Sequence, residues 1–346
     1  MALHNKINKE ELRETILKSA DSRTTLSFYK YHQISDPQDF RDQLFREWSG
    51  LGVLGRIYVS SEGINAQISV PKEKFSDFKR SLDAIDFLAG VRLNIAIEDD
   101  GKSFYVLKIK VREKIVADGL ATGDLDLNNG GEHIDAEYFN RLTDQDNTLV
   151  IDMRNHYESE VGHFENAICP DVETFRDSLT KVEDFLKGNE QKNIVMYCTG
   201  GIRCEKATAF FKGKGFKHLY QLDGGIIEYA RQVQTKGLKN KFLGKNFVFD
   251  ERLGERISDD IIAKCHQCGE ACDTHINCAN DACHLLFIQC HSCAAKYHHC
   301  CSVKCREFND LPEDERIRQR KKSIFNGTKL GKGRYKANRH GELDLT

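Results

Sequence analysis

The chain has 346 residues, of which 40% are hydrophobic and 30% are charged, and its formal net charge is −2. This length exceeds what one hydrophobic core usually serves, so two or three domains are expected. A net charge of −2 means that this chain cannot attract a polyanion such as nucleic acid through its overall charge alone. Apolar runs fall short of the roughly 18 to 20 residues that a bilayer crossing needs. The N-terminus lacks the pattern of a secretory signal, so we expect a cytoplasmic protein without a membrane partner.

The first predicted domain covers residues 24–115 and follows an N-terminal extension at residues 1–23. Helical spacing of apolar residues predicts one helix over 37–48 and a second that begins at Pro71. Alternating patterns predict strands at 24–31, 56–60, 65–70, 91–97 and 104–111. Two βαβ-like halves of this size indicate a ferredoxin-like α+β domain, with one antiparallel sheet and both helices on one face.

The second predicted domain covers residues 136–237, after a linker at 116–135. Apolar strands are predicted at 148–152, 193–197 and 219–222, with helices at 136–142, 173–186 and 204–212. Buried strands that alternate with helices indicate a doubly wound α/β domain with a parallel sheet. In such sheets chemistry lies at the carboxyl ends of the strands, and Cys198 directly follows one.

The segment Cys-Thr-Gly-Gly-Ile-Arg at residues 198–203 joins a strand to a helix through a glycine loop. Such a loop turns successive N–H groups inward, and the helix adds its partial positive charge. Cys198 is therefore the predicted nucleophile. Arg203 is predicted to lie at the rim, where it would lower the pKa of the thiol and bind an anion. The predicted anion nest consists of Thr199, Gly200, Gly201 and Ile202.

This loop resembles the active-site loop of the rhodanese superfamily. Asp152-Met-Arg154 resembles the Asp-x-Arg that ends a strand before the substrate pocket, and Gly162-His163-Phe164 resembles another family segment. Four residues separate the loop cysteine from the loop arginine, as in sulfur-handling rhodaneses, whereas phosphatase relatives have five. Phosphatase activity is therefore disfavoured. The pocket candidates from these segments are Asp152, Arg154, His156 and His163.

Longer segments resemble the bacterial oxygen-dependent tRNA uridine-34 hydroxylases. They lie at residues 62–67, 152–158, 245–251 and 265–268, and the order of the domains also agrees. The resemblance implies hydroxylation of the wobble uridine of tRNA at carbon 5, with molecular oxygen as co-substrate and an essential loop cysteine. DNA is not an expected partner. The oligomeric state and the way oxygen is activated do not follow from the sequence.

Two alternative functions follow from the residues alone. A reactive thiol in such a loop would by default form a persulfide, so a rhodanese-type sulfurtransferase is the main alternative. A non-catalytic RNA- or protein-binding module is disfavoured because Cys198 and Arg203 are both present.

The region at residues 238–312 is rich in cysteine. Cys265, Cys268, Cys290 and Cys293 form two Cys-x2-Cys pairs separated by 21 residues, the form of a structural four-thiolate zinc site. The six other cysteines of this region could form a second site. Free or disulfide-linked cysteines and an iron–sulfur cluster are the alternatives, although the spacing matches no standard cluster motif.

A basic tail is predicted at residues 313–346 and is expected to be flexible. Residues 316–340 contain ten Lys or Arg and no Asp or Glu. Such a segment is either a solvated tail or an arm that follows a phosphate backbone. The candidate RNA-binding residues are Arg316, Arg318, Arg320, Lys321 and Lys322. A second candidate surface consists of Lys108, Lys110 and Arg112 in the first domain.

Overall fold

The computed structural model describes residues 9–18, 22–120, 125–320, 325–327 and 334–335. The chain divides into two compact units. The first comprises residues 1–159, 163–242 and 246–257, and the second comprises 160–162, 243–245 and 258–346. Within the described ranges, no helix combines the length and the apolar character that a membrane span requires.

The first unit begins with the helix α1 and a ferredoxin-like domain. Its helices are α1 (Lys9–Lys18), α2 (Pro37–Gly50) and α3 (Phe75–Asp83). Its strands are β1 (Arg23–Tyr31), β2 (Leu54–Ser60), β3 (Gly63–Pro71), β4 (Asn94–Ile95) and β5 (Leu107–Val111). The sheet order is β4-β1-β3-β2-β5, which confirms the predicted ferredoxin-like fold.

This sheet differs from the prediction in two respects. Strand β5 pairs with β2 in parallel, so the sheet is mixed and not purely antiparallel. The strand predicted at 91–97 is reduced to the two residues of β4. Alternate strand residues such as Ile57 and Ile68 are buried with Trp48 and Phe78 of the helices. The opposite, polar face of the sheet is therefore left to contact other parts of the chain.

A parallel-sheet domain makes up most of the remaining part of the first unit. Its strands are β6 (Glu132–Ile134), β7 (Thr148–Asp152), β8 (Gly162–Phe164), β9 (Asn193–Tyr197) and β10 (Leu219–Leu222). Its helices are α4 (Ala136–Thr143), α5 (His156–Ser159), α6 (Phe175–Leu186), α7 (Ile202–Gly213) and α8 (Gly225–Lys236). The parallel order β6-β10-β9-β7, with α6 and α7 packed on one face and α4 and α8 on the other, confirms the doubly wound domain.

Two segments differ from the predicted organisation. Strand β6 lies inside the segment predicted as a linker, where it pairs with β10. The strands β11 (Phe242–Asn246) and β12 (Glu255–Arg256) form a small sheet with β8. Residues 246–257 thus belong to the first unit, although the predicted Cys-rich region included them.

The second unit has short elements around a core that is rich in sulfur. Its elements are β13 (His275–Asn277), β14 (Leu286–Ile288), α9 (His291–Tyr297), α10 (Val303–Asn309) and α11 (Glu313–Gln319). Among the described residues of this unit, five cysteines pack with Leu285 and Phe287 in a cluster of buried hydrophobic residues. The basic tail predicted as flexible begins with helix α11, whereas Lys321 and Lys322 lie outside the described residues.

Candidate functional site

The loop between β9 and α7 surrounds the sulfur of Cys198 with donors. The backbone N–H of Gly201 donates to Sγ of Cys198 at 3.1 Å. Gly201 has a φ of 100° and is the residue before helix α7, a conformation that favours glycine. A Cβ at this position would also lie 2.9 Å from the hydroxyl oxygen of Tyr29. The turn therefore requires the second glycine of the motif, and Tyr29 leaves little room for a side chain there.

The surroundings of Cys198 favour its thiolate. Burial opposes ionisation, but the Cys204 thiol, the charge of Arg203 and the N–H groups of Arg203 and Gly201 together lower the pKa of Cys198 to about 6. Burial and the neighbouring Cys198 raise the pKa of Cys204 well above its usual value, so Cys204 stays protonated and can donate its S–H. The sequence did not indicate this role, because a cysteine on a buried helix face resembles a core residue.

The sequence predicts that Arg203 binds an anion at the rim of the loop, but the structure shows its guanidinium already paired with a carboxylate. Its Nη1 and Nη2 atoms contact the two carboxylate oxygens of Glu158 at 2.7 and 2.8 Å. Arg203 is 8% exposed and Glu158 is fully buried, so each charge requires the other. Arg203 therefore acts on the thiol through its charge while its guanidinium is held by Glu158. Glu158 lies in the segment 152–158 that carried the family resemblance, but the sequence analysis did not single it out.

Asp152 and Arg154 form a buried ion pair that is separate from the thiol. The Nη2 atom of Arg154 lies 2.7 Å from Oδ2 of Asp152, and the Tyr197 hydroxyl donates to the same oxygen at 2.8 Å. Neither charged residue lines the cavity beside Cys198. Their prediction as pocket residues is corrected, since their polar atoms bind each other inside the parallel-sheet domain.

The two histidines predicted near the pocket also have local packing contacts. Nδ1 of His156 lies 3.0 Å from the carbonyl oxygen of Val172, and Nδ1 of His163 lies 2.9 Å from that of Ser159. Neither histidine lines the cavity beside Cys198. We therefore assign both to the packing of their own segments.

A cavity of about 360 Å³ separates the loop from the polar face of the ferredoxin-like sheet. The loop contributes Cys198, Thr199, Gly200, Ile202 and Arg203 to its wall. The sheet contributes polar and aromatic side chains, which include Ser27, Tyr29, Arg56, Tyr58, Asn65 and Gln67. Residues 248–250 with Arg252 and Glu255 line a further part. The volume lies in the roughly 300 to 1,000 Å³ range of small-molecule sites.

Hydrogen bonds from the ferredoxin-like domain hold the loop and the start of α7. The Tyr31 hydroxyl donates to the carbonyl oxygen of Ile202 at 3.2 Å, and Nδ2 of Asn94 donates to that of Gly200 at 3.4 Å. The hydroxyl of Tyr29 donates to Oε1 of Glu205 at 2.9 Å.

A buried lysine of α7 strengthens this contact. Nζ of Lys206 lies 2.8 Å from an oxygen of Glu62 and 2.5 Å from one of Asp118. Lys206 is 2% exposed, so these two carboxylates supply the charge compensation that it needs.

His133 of β6 adds a titrating group near the same helix. Its Nδ1 lies 3.3 Å from an oxygen of Asp223, and its Nε2 lies 3.4 Å from one of Glu205. Hydrogen bonds from Asp223 and Glu205 raise the pKa of His133 to about 9, although partial burial opposes this. His133 is therefore charged at neutral pH.

The second unit brings cysteine sulfur atoms together in two groups of four. The first group is the predicted one, formed by Cys265, Cys268, Cys290 and Cys293. The second group, which the sequence analysis did not define, is formed by Cys278, Cys283, Cys301 and Cys305. In each group the four sulfur atoms lie within 4.8 Å of one another, so each group could hold a metal ion.

Three family models match successive parts of the chain. Residues 23–115 match a UPF0176 acylphosphatase-like domain, residues 135–232 a rhodanese-like domain and residues 243–306 a rhodanase C-terminal domain. A solved rhodanese-like domain from Anabaena sp. is 17% identical, with a TM-score of 0.26, and the match covers 32% of this chain and 78% of that one.

Two curated relatives cover almost the whole chain. A "tRNA uridine(34) hydroxylase" of Yersinia pestis is 55% identical over 98% of this chain and 96% of its own length. A protein of the same name from Photorhabdus laumondii is 54% identical over 95% of this chain and 93% of its own length. The chain therefore belongs to the tRNA uridine(34) hydroxylase family.

Proposed function

We propose that this protein hydroxylates uridine 34 of tRNA at carbon 5, with molecular oxygen as co-substrate, in the cytoplasm. The observation that supports this most directly is a thiol of low pKa at the wall of a cavity with the size of a small-molecule site. The names of relatives that are 55% and 54% identical supply the substrate and the position.

In the proposed mechanism the Cys198 thiolate adds to carbon 6 of the uracil ring. Carbon 6 is electrophilic because it is conjugated with the carbonyl at carbon 4, and the addition makes carbon 5 nucleophilic. Carbon 5 then takes up one atom of molecular oxygen, and the other atom leaves as water. Two thiol molecules supply the two electrons and two protons by forming a disulfide. Removal of the proton at carbon 5 finally expels the Cys198 thiolate and restores the ring double bond.

The polar lining of the cavity suits a uracil base. Asn65 and Gln67 carry carboxamides, each with donors and an acceptor, on the sheet side of the cavity. Nε2 of Gln67 donates to Oδ1 of Asn65 at 3.1 Å, which fixes the two side chains relative to each other. In this proposal the two amides orient the ring edge while the loop presents the sulfur.

The proposed tRNA surface is the edge of the ferredoxin-like sheet beside this cavity. Strands β2 and β5 place Arg56 opposite Lys108 and Tyr58 opposite Lys110. Because Ile57 and its neighbours on the other face are buried, these four side chains share the polar face. Cationic groups next to an aromatic ring suit phosphates and an unpaired base.

The basic tail is the weaker candidate for this contact. Arg318 lies 2.9 Å from a carboxylate oxygen of Asp314 and 2.6 Å from one of Glu315. Arg320 lies 3.4 Å from Asp281. These carboxylates offset part of the positive charge that would attract phosphates, so we place the main tRNA contact on the sheet.

We further propose that the first cysteine group binds one structural zinc ion. Sγ of Cys268 and Sγ of Cys290 are 3.6 Å apart, near the edge of about 3.8 Å that a tetrahedron with Zn–S bonds of about 2.3 Å has. The backbone N–H of Cys290 donates to Sγ of Cys265 at 3.4 Å, a contact that stabilises a bound thiolate.

The test is the analysis of wobble nucleosides in tRNA from cells that lack the gene and carry a plasmid copy. Wild-type protein should restore hydroxylated uridine 34, and Cys198→Ser should not, because a hydroxyl is a far weaker nucleophile near neutral pH. Cys169→Ser, which alters a cysteine outside the cavity lining, is the matched control and should restore the modification. A folded Cys198→Ser protein that restores it would overturn the proposal. Thiolated instead of hydroxylated uridine would favour a sulfurtransferase.

A further inference from the structure

We propose that Cys278, Cys283, Cys301 and Cys305 form a second structural metal site, which holds one zinc-type divalent ion through four thiolates. This site is distinct from the first cysteine group, and its existence does not depend on the proposed hydroxylase activity. We refer to these four residues as the inner cysteine group.

The sulfur positions of the inner group suit a tetrahedral ion. Sγ of Cys301 lies 3.7 Å from Sγ of Cys283 and 3.7 Å from Sγ of Cys305. These distances match the edge of about 3.8 Å that four sulfur atoms have around zinc, and they exceed the roughly 2.0 Å of a disulfide bond. All four sulfur atoms lie within 4.8 Å of one another, so one ion at their centre would contact each of them.

Backbone donors point at these sulfur atoms, as they do in the first group. The N–H of Cys301 donates to Sγ of Cys278 at 3.3 Å, and the N–H of Gly327 donates to Sγ of Cys283 at 3.3 Å. An N–H donor favours a negatively charged sulfur and orients it. Four thiolates packed together repel one another, and a divalent cation among them offsets this repulsion.

The burial of the inner group indicates a closed site. Cys278, Cys301 and Cys305 are each 1% exposed and Cys283 is 0% exposed, whereas Cys268 of the first group is exposed. A closed four-thiolate site leaves no position for a substrate, so the ion has a structural role. The short elements of this unit bury few carbon side chains, and a metal supplies stability that a small apolar core cannot.

The order of the ligands along the chain shows how the two sites are connected. Pairs of the first group, at 265/268 and 290/293, alternate with pairs of the inner group, at 278/283 and 301/305. Segment 325–327 also packs on the inner site, because a Cβ on Gly327 would lie 2.5 Å from the carbonyl oxygen of Cys283. The inner ion would thus tie segment 278–283 to segment 301–305, and Gly327 would join them through its N–H on Sγ of Cys283.

Metal content of the full-length protein, purified under reducing conditions, tests this site. We expect two equivalents of zinc in the wild type and one in Cys301→Ser. Cys300→Ser is the matched control, because Cys300 is equally buried and adjacent in sequence but outside the four, and it should keep two equivalents. Cys268→Ser should lose one equivalent from the other site.

A second measurement on the unaltered protein covers the case that Cys301→Ser fails to fold. Maleimide labelling followed by peptide mass spectrometry should show that the four inner cysteines become reactive only after a strong chelator is added. Equal metal content in the wild type and in folded Cys301→Ser would overturn the proposal. So would maleimide labelling of the inner cysteines that is the same with and without the chelator. Iron together with acid-labile sulfide would also overturn the assignment to a zinc-type ion. Neither measurement depends on hydroxylation, so failure here is distinguishable from failure of the proposed function.

Discussion

The neutral thiol of Cys204 is expected to keep Cys198 ionised, and Cys204→Ala tests this. The surroundings lower the pKa of Cys198 from 9.0 to about 6, and the Cys204 thiol is the first of the groups that lower it. At pH 7 a thiol with a pKa of about 6 is roughly nine-tenths ionised, against about one-hundredth for a pKa of about 9. Complete loss of the shift would therefore reduce the thiolate fraction about 90-fold. Because Arg203 and the backbone donors remain, we expect a reduction between a few-fold and this limit.

The assay is the rate at which iodoacetamide alkylates Cys198, followed by mass spectrometry of its peptide across pH. The wild-type midpoint should lie near pH 6 and the Cys204→Ala midpoint higher, with the two rates converging in alkaline solution. Restricted access of iodoacetamide to the buried sulfur lowers both rates but does not change the pH of either midpoint, which the pKa of Cys198 sets. Cys169→Ala is the control, since burial raises the pKa of Cys169 to about 12 and its loss should leave the midpoint unchanged. An unchanged midpoint in Cys204→Ala would refute the donor role.

Three further predictions concern stability and RNA binding. Lys206→Met should reduce the free energy of unfolding by roughly 2 kcal/mol, because it removes the charged hydrogen bonds of Lys206 to Glu62 and to the buried Asp118, which keeps Lys114 as a partner. A loss under about 1 kcal/mol in urea denaturation would contradict this. Arg56→Gln should weaken tRNA binding and reduce the slope of log affinity against log salt by roughly 0.7 to 0.9. The control Lys79→Gln, in helix α3 of the same domain, should change neither the affinity nor the slope. His133 has a raised pKa, mainly through Asp223, so its stabilising effect is complete below pH 6.5 and lost as pH rises through about 9. The stability difference between wild type and His133→Gln should shrink over that window, and a constant difference would count against the charged histidine.

The sequence predicted those features that depend on residues close together in the chain. The glycine loop and the helix after it follow from a few neighbouring residues, so the position of Cys198 at the end of β9 was predictable. Hydrophobic periodicity likewise located the main strands and helices of both domains of the first unit. Strand β4 was overestimated because much of the apolar segment around it packs without forming a ladder.

Contacts between distant segments were not predictable from local patterns. Glu158 and Arg203 are 45 positions apart, and Tyr29 and Glu205 are 176 positions apart. Because the carboxylate of Glu158 pairs with the guanidinium of Arg203, the predicted anion site is a buried ion pair in the structure. The sequence allowed a second site among the six other cysteines but did not identify the four of the inner group, since their pairs have longer spacings than Cys-x2-Cys and alternate with those of the first group.

The most direct test of the proposed activity uses purified protein, unmodified tRNA, a thiol reductant and isotopically heavy molecular oxygen. Uridine 34 should gain one heavy oxygen atom, as measured by mass spectrometry of the isolated nucleoside, and Cys198→Ser should give no product. The same product with light oxygen from solvent water would contradict the role of molecular oxygen. If uridine 34 stays unchanged although the protein is folded and the tRNA is intact, the assignment of this reaction to the protein is contradicted.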